Sequence, residues 1–283
     1  MPRIVVVHGI AQQLKGPETL RQEYSAALRD GVRLAGKTPP PPGDIAFAFY
    51  GDLFRPRGVM AVGLPPYDAN DVTDPLEQDL LAAWWRGAAD AEPGQVVSPD
   101  EPTMGRTPRF VQRALDALSR SRFFAGIAER ALVGNLRQVS AYFRDDHVRC
   151  AVANRVEGEI TNDTRVMIGH SLGSVVAYEC LCAHPEWPVT TLVTLGSPLG
   201  IRNIIFDRLR PPPVGDHGVW PGGVQRWVNI ADGGDIVALV KDLSLRFGLK
   251  VGNVLIHNGA TSHDLRPYLT APETGRVILA ALD

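Results

Sequence analysis

The 283-residue sequence predicts an α/β fold, with a mostly parallel central sheet, helices on both faces and a helical insertion. Three observations carry this reading. Short β-branched runs such as Ile4-Val-Val-Val7 lack polar alternation, as strands buried on both faces of a parallel sheet do. Segments with apolar residues at helical spacing separate the strand-like runs at both ends of the chain, and a helix between two strands makes them parallel neighbours. Finally, Gly169-His-Ser-Leu-Gly173 stands between the apolar run Arg165-Val-Met-Ile168 and the small apolar stretch Ser174-Val-Val-Ala177, the layout of strand, sharp turn and helix.

The elements follow in order. Ile4 to Val7 is the first strand and ends in His8-Gly9-Ile10. From Pro17 to Leu34, the apolar residues Leu20, Tyr24, Ala27, Leu28 and Val32 mark an amphipathic helix, with Pro17 in its first turn and Gly36 as its stop. Lys37 to Gly43 is a stiff, proline-rich connection, and Ile45 to Tyr50 reads as the next strand. From 51 to 146 the alternation lapses, which defines a helical insertion within a single domain spanning 1–283. Asp74-Pro75-Leu76-Glu77 opens one helix with a capping carboxylate and a first-position proline, and Leu76, Leu80, Ala83 and Trp84 share a face. A second block runs from Pro108 to Ser119, and further pieces from Phe123 to Phe143. Trp84, Trp85, Phe123 and Phe124 either pack these helices on the domain or line the underside of a cap or lid. Alternation resumes with a helix near Val148 to Ile160, the strand before Ser171, a helix stopping at Pro185, and the strands Thr191 to Leu195 and Arg226 to Ile230. Val254 to Ile256 reads as the last strand, and a final helix begins near Pro272.

Composition bounds the function. Hydrophobic content of 45%, charged content of 21% and a formal charge of −2 give no electrostatic reason to expect a nucleic-acid partner. No apolar stretch approaches the roughly 20 residues of a membrane helix, and no export leader precedes Ile4, so the chain reads as cytoplasmic. Cys150, Cys180 and Cys182 fall on helical segments, read as buried thiols in a reducing compartment, and fit no metal pattern.

In Gly169-His-Ser-Leu-Gly173 the glycines allow the tight reversal that exposes Ser171, and the N–H of Leu172 heads a helix where unpaired donors collect. A serine hydroxyl needs a base to become nucleophilic, and a histidine base needs a carboxylate to fix its tautomer. Both are expected in loops after later strands, in the order serine, acid, histidine. Asp235 is the preferred acid because Ile236 and Val237 anchor its backbone; Asp232 is the alternative, with turn-forming roles for both aspartates as the plain reading. Two histidines follow the acid. His257 continues an apolar strand and reads as a packed or hydrogen-bonded residue, whereas His263 lies in a polar loop and is the preferred base. His217 precedes the acid in a glycine- and proline-rich loop and reads as exposed. A second oxyanion donor is expected from the N–H of Ile10 or Ala11, with Gly9 permitting close approach and His8 hydrogen-bonded within the loop.

His8-Gly9, Gly169 to Gly173, the 232–237 loop and His263-Asp264 together resemble the α/β-hydrolase family, in its lipase- and esterase-like members. Leu195-Gly-Ser-Pro198 and Trp227-Val-Asn229 are similar to the same group. The resemblance implies the α/β-hydrolase fold, no cofactor, and acyl transfer to water through an acyl-enzyme on Ser171. Residues 51–146 and the Gly-Gly spacing of the two aspartates depart from the pattern. The expected function is therefore cleavage of a carboxylic ester, lipid-like esters included. The alternatives are a thioesterase, amidase or peptidase using the same residues, or a non-catalytic binding or signalling protein on the same fold. Trp84, Trp85 and the apolar helices of the insertion also raise peripheral contact with a lipid surface.

Overall fold

The first β-branched run forms β1 (Ile4–Val7), and every residue in it is buried. Its side chains alternate, Ile4 and Val6 entering the core on one side of the sheet and Val5 and Val7 the core on the other. The computed structural model describes residues 1–55, 65–99, 107–124 and 127–282. After β1 come α1 (Pro17–Leu34), β2 (Ile45–Ala48), α2 (Pro75–Ala91), α3 (Pro108–Ser119), α4 (Glu129–Arg144), α5 (Asp146–Glu157) and β3 (Val166–His170). Then follow α6 (Leu172–Ala183), β4 (Thr191–Leu195), β5 (Arg226–Asp232), α7 (Ser244–Phe247), β6 (Val251–Ile256), α8 (Leu265–Thr270) and α9 (Pro272–Leu282). The six strands form one all-parallel sheet in the order β2-β1-β3-β4-β5-β6. In its register Val5 stands opposite Ala46 on one side and Met167 on the other.

Local chemistry sets the helix bounds. Leu20, Tyr24, Ala27, Leu28 and Val32 of α1 are buried, and Gly36 leaves the helix at φ +79°. Each aliphatic side chain in that stripe contributes about 1.5–3 kcal/mol by leaving water. Asp74 accepts the Leu76 N–H at 2.7 Å ahead of Pro75 in α2, and Thr107 caps α3 through Phe110 N–H at 3.2 Å. Val111, Ala114, Leu115 and Leu118 make the buried face of α3. Helices α1, α8 and α9 cover one face of the sheet, and α2 to α6 the other. A buried polar knot ties α4 and α5 to α6, because Glu179 accepts from Tyr142 Oη at 2.6 Å and Arg149 Nε at 2.8 Å.

The strand order places the site. The chain adds β2 on one side of β1 and β3 on the other, with α1, which leaves β1, and α6, which leaves β3, on opposite faces. The connections leaving β1 and β3 therefore diverge, and a crevice opens at the carboxyl ends of those two strands. His8 to Ala11 and Ser171 flank it.

Several expectations need correction. Strand β6 begins at Val251 rather than Val254, pairing with β5 despite Gly252 and Asn253, and as an edge strand it is largely exposed. His257 lies just beyond it with its side chain 88% exposed, so it is not packed in the sheet. Helix α8 is an element additional to those expected, between the polar loop of His263 and the final helix; its Pro267 sits in the first turn, where the missing N–H has no intrahelical role. Cys150 is exposed on the outer side of α5, while Cys180 is buried. Trp84 and Trp85 are each 3% exposed and pack into the core, as one of the two readings of the insertion has it. Residues 56–64, 100–106 and 125–126 of the expected insertion lie outside the described residues. Among the described residues no helix is long and apolar enough to cross a membrane.

Candidate active site

Ser171 occupies the turn between β3 and α6 with φ 53° and ψ −129°, a left-handed conformation that costs a non-glycine residue about 1–3 kcal/mol. The surrounding backbone holds it there. Its N–H donates to Leu195 O at 3.0 Å, and its carbonyl accepts from Ser174 N–H at 2.9 Å and Ser174 Oγ at 2.6 Å. A side chain at Gly169 would come within 2.5 Å of Ser174 Cα, and one at Gly173 within 2.3 Å of the Val7 and His8 carbonyl oxygens. Only glycine fits either place, so the helix can start directly behind the serine.

The structure brings Ser171, His263 and Asp235 together. Ser171 Oγ lies 2.9 Å from His263 Nε2, and His263 Nδ1 lies 2.8 Å from Asp235 Oδ2. With Nδ1–H donating to the carboxylate, Nε2 is left to accept from the serine hydroxyl. Asp235 is fully buried, which by itself would raise its pKa. His263, Lys241 and Tyr268 outweigh that burial and hold the carboxyl below its ordinary value. The carboxylate accepts from four donors: His263, Tyr268 Oη at 2.8 Å, Val237 N–H at 2.9 Å and Ala238 N–H at 3.2 Å.

Asp232 is placed differently. Its carboxylate accepts the Gly234 N–H at 2.7 Å and the Asn258 N–H, and stands 3.9 Å from His257 Nδ1. It braces the 232–235 turn against the loop after β6, and His217 is exposed in its own loop.

Gly9 passes so close to the serine that a Cβ there would lie 2.8 Å from Ser171 Cβ. The next residue, Ile10, and the first residue of α6, Leu172, both present N–H groups that find no acceptor among the described residues. The peptide between Gly9 and Ile10 is oriented from behind by His8, whose Nδ1–H donates to Gly9 O at 2.6 Å while Nε2 accepts the Tyr50 N–H at 3.1 Å. Both ring nitrogens are thus committed as in a neutral imidazole, and burial lowers the His8 pKa to about 4. In a trans peptide the N–H points away from its carbonyl, so anchoring Gly9 O behind the loop turns the Ile10 N–H forward.

Reading the sequence missed three participants. His170, the variable residue of the Gly-x-Ser turn, donates Nε2–H to the His263 carbonyl at 2.9 Å, its ring 4.8 Å from that of His263. Burial and the neighbouring His263 lower its pKa to about 3, so it is a neutral donor. Tyr268 accepts the Asp232 N–H at 2.8 Å while donating to Asp235, and its only signal is a position five residues after His263 in the unforeseen helix α8. Gly196, at φ +52°, is the third; a side chain there would reach 2.7 Å from Asp235 Oδ2 and 3.2 Å from His263 Nδ1.

These groups open on a cavity of about 430 Å³. Ser171, His263, Gly9 and Ile10 form its floor, and Tyr24, Trp84, Phe123, Phe124 and Ile127 supply apolar wall. Phe123 lies 6.0 Å from the His263 ring. Trp84 serves both purposes considered for the insertion, since it joins the core and lines the cavity. Among the described residues no group of three His, Cys, Asp or Glu side chains is placed to hold a metal ion. No protein-family model matches the chain, and comparison with curated proteins gives no match.

Proposed function

We propose that this protein is a serine hydrolase of the α/β-hydrolase fold that cleaves a carboxylic ester through an acyl-enzyme on Ser171. One observation carries the reading: His263 bridges Ser171 Oγ and the buried Asp235 carboxylate at 2.9 and 2.8 Å, and a carboxylate can only accept at Nδ1, which leaves Nε2 to take the serine proton. Ser171 Oγ attacks the acyl carbonyl as His263 Nε2 takes its proton. Asp235 keeps its charge and steadies the imidazolium, because four donors hold it as a carboxylate. The oxyanion lies between the Leu172 and Ile10 N–H groups, each worth about 100- to 1,000-fold in kcat. His263 then protonates the departing alcohol, and water repeats the sequence on the acyl-enzyme. The aromatic wall favours a substrate with hydrocarbon character in its acyl or alcohol part.

Labelling with a fluorophosphonate probe tests the assignment. The expected result is one label per chain, lost in Ser171→Ala at an unchanged thermal midpoint, and turnover of activated esters ahead of matched thioesters and amides. A folded wild type that does not label would defeat the reading.

A further inference from the structure

We propose that Gln138, on α4 of the insertion, is a positioning residue that sets the oxyanion peptide from the side opposite His8. The inference rests on the hydrolase reading above, and adds to it the device that keeps one of its two donors aimed.

The loop after β1 offers two successive backbone N–H groups at the cavity, those of the lining residues Ile10 and Ala11. The Ala11 N–H is already spent, because it donates to Gln138 Oε1 at 3.2 Å. The Ile10 N–H has no acceptor among the described residues. Gln138 therefore decides which of the two donors remains free for a substrate oxygen. It also decides where that donor points. The Gly9–Ile10 peptide is held at its carbonyl by His8, and the following Ile10–Ala11 peptide is held at its N–H by Gln138. Both peptide planes that meet at Ile10 are thus clamped, and the orientation of the Ile10 N–H follows from them.

The clamp works against a real backbone preference. Ala11 has φ 65°, a region L-residues avoid at a cost of roughly 1 kcal/mol or more, and Ala11 is exposed, so packing does not impose it. Two hydrogen bonds on the Ile10–Ala11 peptide do, a long one from Gln12 Nε2–H to its carbonyl at 3.4 Å and the shorter one from its N–H to Gln138 Oε1 at 3.2 Å. Gln138 is well suited to provide the shorter one: the side chain is 6% exposed, and its amide is itself held by Nε2–H donating to Gly134 O at 3.4 Å, one turn back along α4. The insertion is thereby wired to the oxyanion site through one side chain that touches no substrate.

The test compares Gln138→Met, which keeps the volume and loses the acceptor, with Gln138→Glu, which keeps an acceptor for the Ala11 N–H. Steady-state hydrolysis of a p-nitrophenyl ester is measured for both beside the wild type, together with amide hydrogen exchange at Ala11. A mis-aimed oxyanion donor acts in the transition state and not on ester binding, so Gln138→Met is expected to lower kcat about 10- to 100-fold with KM within about two-fold. Gln138→Glu returns the acceptor for the Ala11 N–H but not the donor to Gly134 O, and should raise kcat at least about three-fold above that of Gln138→Met. Slow exchange at Ala11 in the wild type and fast exchange in Gln138→Met would accompany this. Unchanged kcat in Gln138→Met overturns the proposal, as does equal damage in Gln138→Glu, a rise in KM that accounts for the loss, or an Ala11 amide already unprotected in the wild type. Should Gln138→Met not fold, the Ala11 exchange of the wild type and of Gln138→Glu decides alone. A wild type that neither labels nor turns over ester removes the hydrolase reading itself, a result distinct from an active wild type indifferent to Gln138.

Discussion

Two buried neutral histidines make the fold sensitive to mild acid, by an amount that can be worked out. His8 takes up its proton at a pKa of about 4 and His170 at about 3 in the folded protein, against 6.5 for the free ring. Burial dominates both shifts, and each ring has a nitrogen committed in a way that protonation would upset or leave uncompensated. Both folded values are depressed, so the unfolded chain binds these protons first. The stability they contribute is complete above pH 6.5 and falls as pH drops toward 4 and 3. At pH 5 an unfolded histidine gains about 33-fold from protonation, or about 2 kcal/mol, and two give about 4 kcal/mol. Glu77 acts in the opposite sense. Burial, joined by Asp74, raises its pKa to about 7 against the pull of Arg137 and Arg144, so the folded state binds its proton first and gains stability as pH falls below 7. Glu77 lines a second cavity of about 470 Å³, and solvent there screens it, which brings its return down to about 1 kcal/mol. Urea unfolding at pH 7.5 and pH 5.0 should therefore show a net loss of about 3 kcal/mol. His170→Gln, which keeps an N–H for the His263 carbonyl, should cut the loss by about 2 kcal/mol, and Glu77→Gln should deepen it by about 1 kcal/mol. A stability flat across this range, or a loss untouched by His170→Gln, would refute the reasoning.

The two aspartates of the 232–235 loop should separate cleanly. Asp235→Asn is expected to lower kcat by about 10⁴-fold with little change in KM, through loss of the correct His263 tautomer. Asp232→Asn should cost only about 1–2 kcal/mol of stability, as the bonds to Gly234 and Asn258 weaken, with kcat within a few-fold. Gly9→Ala places a Cβ 2.8 Å from Ser171 Cβ, so fluorophosphonate labelling should slow at least about ten-fold while stability falls by about 1–3 kcal/mol. Arg149→Met leaves the 8%-exposed Glu179 carboxylate without its cation and should cost about 3–5 kcal/mol in urea unfolding.

What the sequence discloses depends on whether a signal is local. The β-branched run Ile4 to Val7, the capped start of α2 at Asp74 and the apolar stripe of α3 are each written within a dozen residues, and α1 and α3 have the bounds their patterns predict. The same holds for Ser171, whose two glycines are required by contacts made inside its own turn. His263 and Asp235 were reachable by chain order and by the character of their loops. His170, Tyr268 and Gln138 were not, because each acts on a partner 33 to 127 residues away and nothing near it in the chain marks the role. Strand β6 and helix α8 were hidden for the opposite reason. Gly252, Asn253 and Pro267 carry local preferences against the structure that pairing with β5 and a first-turn position override.

Three histidines stand in or beside this site, and the proposed chemistry needs only one of them to change charge. An imidazolium on His263 would be repelled by a second cation at His170, 4.8 Å away ring to ring, and by a third at His8 beneath the oxyanion loop. Burial keeps both neutral, yet each still has one N–H to give. His170 spends its N–H on the carbonyl of His263, and His8 spends its own on the carbonyl of Gly9. A lysine or arginine could supply the same donors only with a charge attached, and a glutamine would have to hold its longer, more flexible chain in place. Buried imidazole combines a rigid ring, a single directed donor and no net charge. The positive charge that develops during the reaction is thereby confined to the one histidine that faces both Ser171 and Asp235.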